Sequence, residues 1–454
     1  MSRIKDVVNA LEEGKAIFEE IMEYEKCTAY AIDELYSPKG ASSSAESQKE
    51  TTQDRKPEGW EGFGRIAAGD NLEYMEHLIK NKGMAGKIQM IYLDPPFFSN
   101  SKYQASVRLE SDRLGKSPVI KTGAYEDVWR DSLKQYLMML TIRFLMMKEL
   151  LAESGTIWVH LDWHGAHYVK ILLDEIFGYN NFINEIIWNY KSGGASKRSF
   201  ARKHDTILMY GKGSGYKFNP IKEKSYNRDF KPYRFKGVKE YEDEKGWYTM
   251  VNMKDVWSID MVGRTSRERT GYATQKPEKL LERIIQSCTD EGDICADFFA
   301  GSGTLGVVAD RMNRSWIMCD EGDVAVASQI ERLFRDKART FLVERPDRNP
   351  DEALSRLVRC NEELGLLRIM DYVPDVLKLS DADEEVAMEY LRDDSTSCIA
   401  FWSVDNHYDG RVHRVSEIVG GSDFCTEPEG NLHVIGYDVF GNRFCWEKLQ
   451  EEED

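Results

Sequence analysis

The chain has 454 residues, of which 41% are hydrophobic and 31% charged, with a formal net charge of −17. That length accommodates two or three domains with sizeable cores. No run approaches the roughly 18 apolar residues of a membrane span, and the N-terminus lacks an apolar signal core. The eight cysteines are scattered without a C-x-x-C pair, a usage that suits reduced thiols in a cytoplasm better than disulfides or zinc.

In chain order, Ile4, Val7, Val8, Leu11, Ile17, Phe18, Ile21 and Met22 form a stripe near helical period, which predicts an amphipathic helix that needs a partner surface. A polar Ser/Pro/Gly-rich stretch follows and reads as a linker. The folded core begins near G-W-E-G-F-G, with a helix over N-L-E-Y-M-E-H-L-I-K and a strand ending at Asp94. A long helix starts near Asp131 and stops at S-G. T-I-W-V-H-L-D is a strand, and the helix after it ends at Gly178. F-I-N-E-I-I-W-N-Y and H-D-T-I-L-M-Y-G are strands, K-P-E-K-L-L-E-R-I-I-Q-S-C-T-D a helix, and G-D-I-C-A-D-F-F and R-S-W-I-M-C-D further strands. This alternation predicts a doubly wound, mostly parallel α/β sheet. Beyond residue 341, F-W-S-V-D-N-H-Y and L-H-V-I-G-Y-D-V-F read as strands of a small α+β appendage.

Charge is unevenly distributed. Residues 191–240 carry 14 Lys/Arg against 4 Asp/Glu, and residues 341–454 carry 11 against 27. A basic segment inside an acidic protein is the informative quantity for nucleic-acid contact. Its bland alternative is a solvated face.

Two stretches carry chemistry. I-Y-L-D-P-P-F-F-S-N ends an apolar run with a carboxylate and two prolines. Proline cannot continue a central strand, so Asp94 sits at the strand's carboxyl end on a stiff connector. That end is where open α/β sheets bind ligands. D-F-F-A-G-S-G-T-L-G, from Asp297, follows a strand and opens a helix, with Gly301 and Gly303 allowing close backbone approach to a ligand. Gly301, Gly303 and Gly306 literally match the dinucleotide fingerprint G-x-G-x-x-G, so a nicotinamide enzyme is a rival reading. Asp320 ends the next strand, placed to accept hydrogen bonds from ribose hydroxyls. His160, His164 and His167 lie close in sequence without ligand spacing, so no metal is expected.

D-P-P-F, a late F-x-G-x-G and the intervening T-Q-K-P-E-K-L-L together resemble the amino-methylating DNA methyltransferases, in the order of their β group. The phrases G-D-N-L-E-Y-M, G-T-I-W-V-H-L-D, L-L-D-E-I-F-G and F-I-N-E-I-I-W-N-Y look like the modification subunits of type III restriction systems. The resemblance covers residues 64 to 336. It implies a Rossmann-like methyltransferase sheet with an inserted DNA-recognition region, and transfer of a methyl group from S-adenosylmethionine to a flipped-out base in double-stranded DNA. The carboxylate first in D-P-P-F favours adenine N6 over cytosine N4.

By the same resemblance Asp94, Pro95, Pro96 and Phe97 are catalytic. Asp94 and the Pro95 carbonyl would hold the amine hydrogens of the target base while the Phe97 ring stacks on it. Asp297, Phe298, Phe299, Ala300, Gly301, Ser302, Gly303 and Thr304 would cradle the methionine part of the cofactor, beside Gln275, Lys276 and Pro277. Asp320 would bind its ribose and Asp70 its adenine. Each has a plainer reading: Asp70 as a helix N-cap, Pro277 as a helix start. Trp188 and Tyr190, with Lys197, Arg198, Arg202, Lys203 and Arg234, would face DNA.

The chain then divides into an N-terminal helix and linker (1–60), a catalytic half (61–190), a target-recognition region (191–269), a cofactor half (270–340) and an acidic C-terminal domain (341–454). A homodimer and a restriction subunit stay open as partners, and the resemblance implies the cytoplasm of a bacterial or archaeal cell, or a gene carried by a mobile element. The alternatives are a cytosine N4 enzyme, an RNA or protein methyltransferase, and a non-catalytic DNA-binding module.

Overall fold

The computed structural model describes residues 2–37, 63–109, 117–129, 132–191, 197–347, 358–363, 366–374, 379, 381–420, 423–425 and 430–448. The polar stretch expected as a linker lies almost wholly outside them. The N-terminal half contains α1 (Arg3–Glu23), β1 (Tyr30–Tyr36), β2 (Gly64–Ala68), α2 (Asn71–Lys80), β3 (Ile88–Leu93), β4 (Ser101–Arg108), β5 (Val119–Asp127), α3 (Leu133–Leu150), β6 (Leu151–Leu161), α4 (Ala166–Phe177), β7 (Phe182–Asn189) and β8 (His204–Gly211). Then come β9 (Lys222–Tyr226), β10 (Glu240–Asp243), β11 (Gly246–Asn252), β12 (Val256–Ser258), α5 (Glu278–Cys288), β13 (Ile294–Asp297), α6 (Thr304–Arg311), β14 (Ser315–Asp320), α7 (Asp323–Arg335) and β15 (Phe341–Pro346).

An 11-stranded sheet runs β12-β7-β8-β6-β3-β13-β14-β2-β15-β1, ending on a short strand, His413–Val415. From β6 across to β15 every neighbouring pair is parallel. β8 runs antiparallel to both β6 and β7. All six residues of β3 are buried, as a strand covered on both faces requires. One core packs side chains of α1 to α4 on Ile91, Leu93 and Val159. The other packs α5 to α7 on Met90, Tyr92 and Trp158. The sheet is therefore doubly wound. The chain leaves β3 toward β6 and leaves β13 toward β14, so the switch in direction falls between β3 and β13, where ligands bind in such folds.

Several features depart from the sequence reading. β1 joins the main sheet antiparallel to β15, so residues before the polar stretch contribute a strand as well as a helix. β4 and β5 form a separate two-stranded hairpin, and β6 begins at once after α3, earlier than T-I-W-V. The amphipathic helix α1 rests on α3, with Gly14 against Thr141. Residues 222–252 supply a three-stranded antiparallel sheet, β10-β11-β9. Near the C-terminus, the two expected strands form at Ile399–Asp405 and Leu432–Asp438 and pair antiparallel, around a core that includes Trp402, Val434 and Phe444.

Candidate functional site

The parallel order brings the carboxyl ends of β3, β13, β14 and β2 to one edge of the sheet. Asp94, Asp297, Asp320 and Asp70 all stand there and line one cavity of about 660 Å³, within the range of small-molecule sites. Of the expected residues, Pro96, Gln275, Lys276, Phe298, Phe299, Ala300, Gly301, Ser302 and Thr304 also line it. Pro95, Phe97, Pro277 and Gly303 are not among its lining residues.

The glycine turn is built for close approach. Gly303 has φ +75°, and a Cβ there would stand 2.9 Å from Gln329 Cγ. The Gly301 N–H donates to Asp320 Oδ2 at 2.8 Å, and the Gly322 N–H to Asp320 Oδ1 at 2.9 Å. Burial pushes the Asp320 carboxyl up to about 6. Asp297 accepts from the Phe299 N–H at 2.9 Å, and burial, reinforced by nearby Asp94 and Asp320, raises it well above the usual carboxylate range. Gly306 packs against Met318 and Trp316, so the third glycine of the literal fingerprint serves helix–strand contact.

Asp70 is the helix N-cap and also stands on the cavity wall. Its Oδ1 caps α2, accepting from the Leu72 and Glu73 N–H groups at 2.8 and 3.0 Å. Its Oδ2 accepts from Arg143 at 3.1 Å on the cavity wall. Pro277 is the residue preceding the first turn of α5. Gln275 ties down its own loop, accepting from the Thr270 N–H at 2.9 Å and donating to the Glu268 carbonyl at 2.5 Å.

On the Asp94 side, the Lys276 ammonium lies against Asp94 Oδ2. Asp94 Oδ1 is buried, accepts no hydrogen bond among the described residues, and lies 4.0 Å from His160 Nδ1. His160 is fully buried. Its Nδ1 meets the Tyr92 hydroxyl at 2.8 Å, and its Nε2 meets Asp205 at 3.2 Å. Asp205 is also held by the Tyr190 hydroxyl at 3.0 Å. Burial opposes ionisation of Asp205, but its hydrogen bond and charge interaction with His160 outweigh this and lower its pKa. The Phe97 ring centroid is 6.0 Å from the His160 ring and 5.6 Å from Lys276 Nζ.

Trp188 is buried, donates to the Ile259 carbonyl at 2.8 Å and meets His160 edge-on, so it backs the site instead of facing solvent. Lys197, Arg198 and Arg202 are exposed between β7 and β8, Arg202 stacking on Trp163 at 4.0 Å, while Lys203 is half-buried. Arg234 is exposed in the loop before β10. Sequence reasoning missed His160, Asp205, Arg143, Tyr272 and the β5 end with Asp127 and Trp129. Their partners are distant in the chain, so only Trp129 and Asp127, in the short run E-D-V-W at the end of β5, left any local trace. No group of three or more His, Cys, Asp and Glu arranged for a metal occurs among the described residues, nor any helix long and apolar enough to cross a membrane.

An open α/β sheet with acid-tipped strands around a glycine turn at its switch point is the arrangement of nucleotide-cofactor-binding proteins. The DNA methylase family of N6/N4 methyltransferases matches residues 88–331, and the chain belongs to it. It is 32% identical over 235 residues to the type II methyltransferase M2.DpnII of Streptococcus pneumoniae, covering 51% of this chain and 77% of that protein. It is 30% identical over 257 residues to M2.LlaDCHI of Lactococcus lactis subsp. cremoris, covering 56% and 83%. Among solved structures it aligns with PvuII DNA methyltransferase (cytosine-N4-specific) at TM-score 0.39 and 15% identity, over 61% of this chain and 89% of that one. These sequence relatives are type II enzymes by name, whereas the phrases in the sequence resemble type III modification subunits. The protein is an amino-methylating DNA methyltransferase, and its family takes the methyl group from S-adenosylmethionine and acts on double-stranded DNA. The residues present fit that cofactor: a glycine turn whose Gly301, at φ +48°, lines the cavity without a side chain, and carboxylates able to take ribose hydroxyls and favour a sulfonium charge.

Proposed function

We propose that the protein methylates N6 of adenine in a base flipped out of duplex DNA. The observation that carries this reading is Asp94, a carboxylate at the end of β3 with one buried oxygen that accepts no hydrogen bond among the described residues, on a wall shared with the glycine turn. An aromatic amine is a weak nucleophile because its lone pair is delocalised into the ring. Asp94 and the Pro95 carbonyl accept its two hydrogens, which lets the nitrogen pyramidalise. This is preorganised electrostatics, fixed by two prolines. Lys276 compensates the partly buried charge of Asp94 until the amine arrives. The Phe97 face stacks on the base, a contact worth about 1–3 kcal/mol in single-strand binders. A paired base cannot reach such a site, hence flipping. The bound cofactor supplies an electrophilic methyl group; Asp320 and Asp70 orient its nucleoside, and residues 297–304 with Gln275–Pro277 hold its amino-acid end. Adenine is favoured because a carboxylate stands first in the motif, where a serine would favour cytosine N4. Residues 191–269 form the target-recognition region, with Lys197, Arg198, Arg202, Lys203 and Arg234 on phosphates and Tyr190 near the base.

The test incubates the protein with unmethylated duplex DNA and S-adenosylmethionine, then identifies methylated nucleosides by mass. N6-methyladenine from wild type and none from Asp94→Ala is expected. N4-methylcytosine overturns the base assignment and keeps the family chemistry. No methylated base at all, with cofactor bound, overturns the substrate.

A further inference from the structure

We propose that Asp127, the last residue of β5, is a positioning residue that fixes the loop from Asp94 to Asn100 in its working shape. The proposal rests on the reading of that loop as the methyl-acceptor site. Asp127 is fully buried, yet five donors converge on its carboxylate. Oδ2 accepts from the Phe97 N–H at 3.1 Å, the Ser99 N–H at 2.6 Å and the Ser99 hydroxyl at 2.7 Å. Oδ1 accepts from the Phe98 N–H at 3.2 Å and Trp129 Nε1 at 2.7 Å. Three successive backbone N–H groups therefore wrap around one anion carried by another element. An ionised carboxylate is acceptor-only, with about four lone-pair sites, which matches a ring of donors and compensates its burial.

The loop needs such a clasp. Phe98 has φ +65° and Asn100 φ +52°, left-handed conformations that a bulky aromatic rarely adopts. Strain of this kind persists when the surroundings over-determine it. Asn100 adds a second tie, its Oδ1 accepting the Trp129 N–H at 3.1 Å. The same carboxylate thus binds the loop that presents Asp94, the Pro95 carbonyl and Phe97, and the Val128–Trp129 segment that walls the cavity. Acceptor pair, stacking ring and cavity wall become one rigid unit. Positional error of about 1 Å can cost on the order of a hundredfold in rate, so the clasp acts on the transfer step more than on ligand capture.

The test compares wild type with Asp127→Asn and Ser99→Ala. It measures the single-turnover rate of methyl transfer at saturating DNA and cofactor, and cofactor affinity by calorimetry. The amide of Asp127→Asn turns two donors toward the loop's own N–H groups. We expect a rate loss of about 30- to 100-fold with cofactor affinity within about threefold. Ser99→Ala removes one donor and leaves the backbone intact, and a loss of about three- to tenfold is expected. If Asp127→Asn does not fold, Ser99→Ala decides, a wild-type rate overturning the proposal. Wild-type rates in Asp127→Asn, or lost affinity with an unchanged single-turnover rate, overturn it too. A wild-type protein that transfers no methyl group to duplex DNA in this assay sinks the underlying reading instead.

Discussion

Asp320 illustrates how one side chain links backbone geometry to ligand chemistry. It accepts the Gly301 and Gly322 N–H groups and so shapes the glycine turn. A carboxylate has about four acceptor sites, so room remains for ribose hydroxyls. Its raised pKa, about 6 from burial, gives this assignment a pH signature. Above pH 6 the group is ionised and, under this assignment, would accept from the ribose. Below it, a proton occupies one of those sites. Cofactor affinity should fall by roughly tenfold as pH drops from 7.5 to 5, the scale of a hydrogen bond to a charged group. Asp320→Asn should flatten that dependence in calorimetric titration, and an unchanged slope in the variant would remove Asp320 from the ribose. The ligand-free protein shows the opposite linkage. Its folded state holds this proton more tightly than the unfolded chain, whose group titrates near 3.8. The Asp320 contribution to stability therefore declines as pH rises from about 4 through 6.

Elements differ in how visibly the sequence announces them. β3 and β13 were legible because an apolar run ends in a carboxylate and then in proline or glycine, residues whose backbone demands leave few alternatives. α4 was legible to its last residue because Gly178 takes φ +94° there. β1 was not, because Y-A-I-D-E-L-Y hides a buried Glu34 in a strand. Its partners include the Tyr36 hydroxyl at 2.6 Å, the Tyr437 hydroxyl at 2.5 Å and Arg443 Nε at 3.4 Å, the last two about 400 residues away. The loop from Asp94 was singled out in the sequence but its tie to Asp127 was not, since Asp127 bonds backbone groups 28 to 30 residues upstream and backbone groups carry no sequence signal. His160 likewise reads as an ordinary core residue until Asp205 comes into view. At α1, the amphipathic stripe foretold a partner surface without naming it, and the structure supplies α3. A Cβ on Gly14 would stand 2.7 Å from Thr141 Cγ2, so Gly14→Leu must push the helices apart. Overpacking of this kind costs about 1–3 kcal/mol, and urea unfolding should show it while cofactor affinity stays unchanged. Undiminished stability would mean that α1 does not rest on α3 in solution.

At the scale of the whole molecule, a protein of net charge −17 is proposed to bind a polyanion. Long-range repulsion is screened beyond about 8–10 Å at physiological salt, so affinity depends on the local surface that touches phosphates. The proposed contact surface lies within the segment of 14 basic against 4 acidic residues, which carries exposed Phe230, Tyr233 and Phe235 beside its cations. Within it Glu240 is spent internally, accepting the Tyr233 and Arg234 N–H groups at 2.8 and 2.7 Å. It pins the loop that carries Arg234. Counterion release makes log affinity fall linearly with log salt, with a slope of about −0.9 per phosphate contacted. The sign and size of that slope should follow the basic segment and ignore the net charge. The combined variant Lys197→Gln, Arg198→Gln, Arg202→Gln and Arg234→Gln should weaken duplex binding at low salt and make the slope shallower by about three to four. Its cofactor affinity should match wild type, because none of the four side chains lines the cofactor cavity. A slope unchanged in the variant would move the DNA to another face of the molecule, leaving the chemistry at Asp94 intact and the recognition region misassigned.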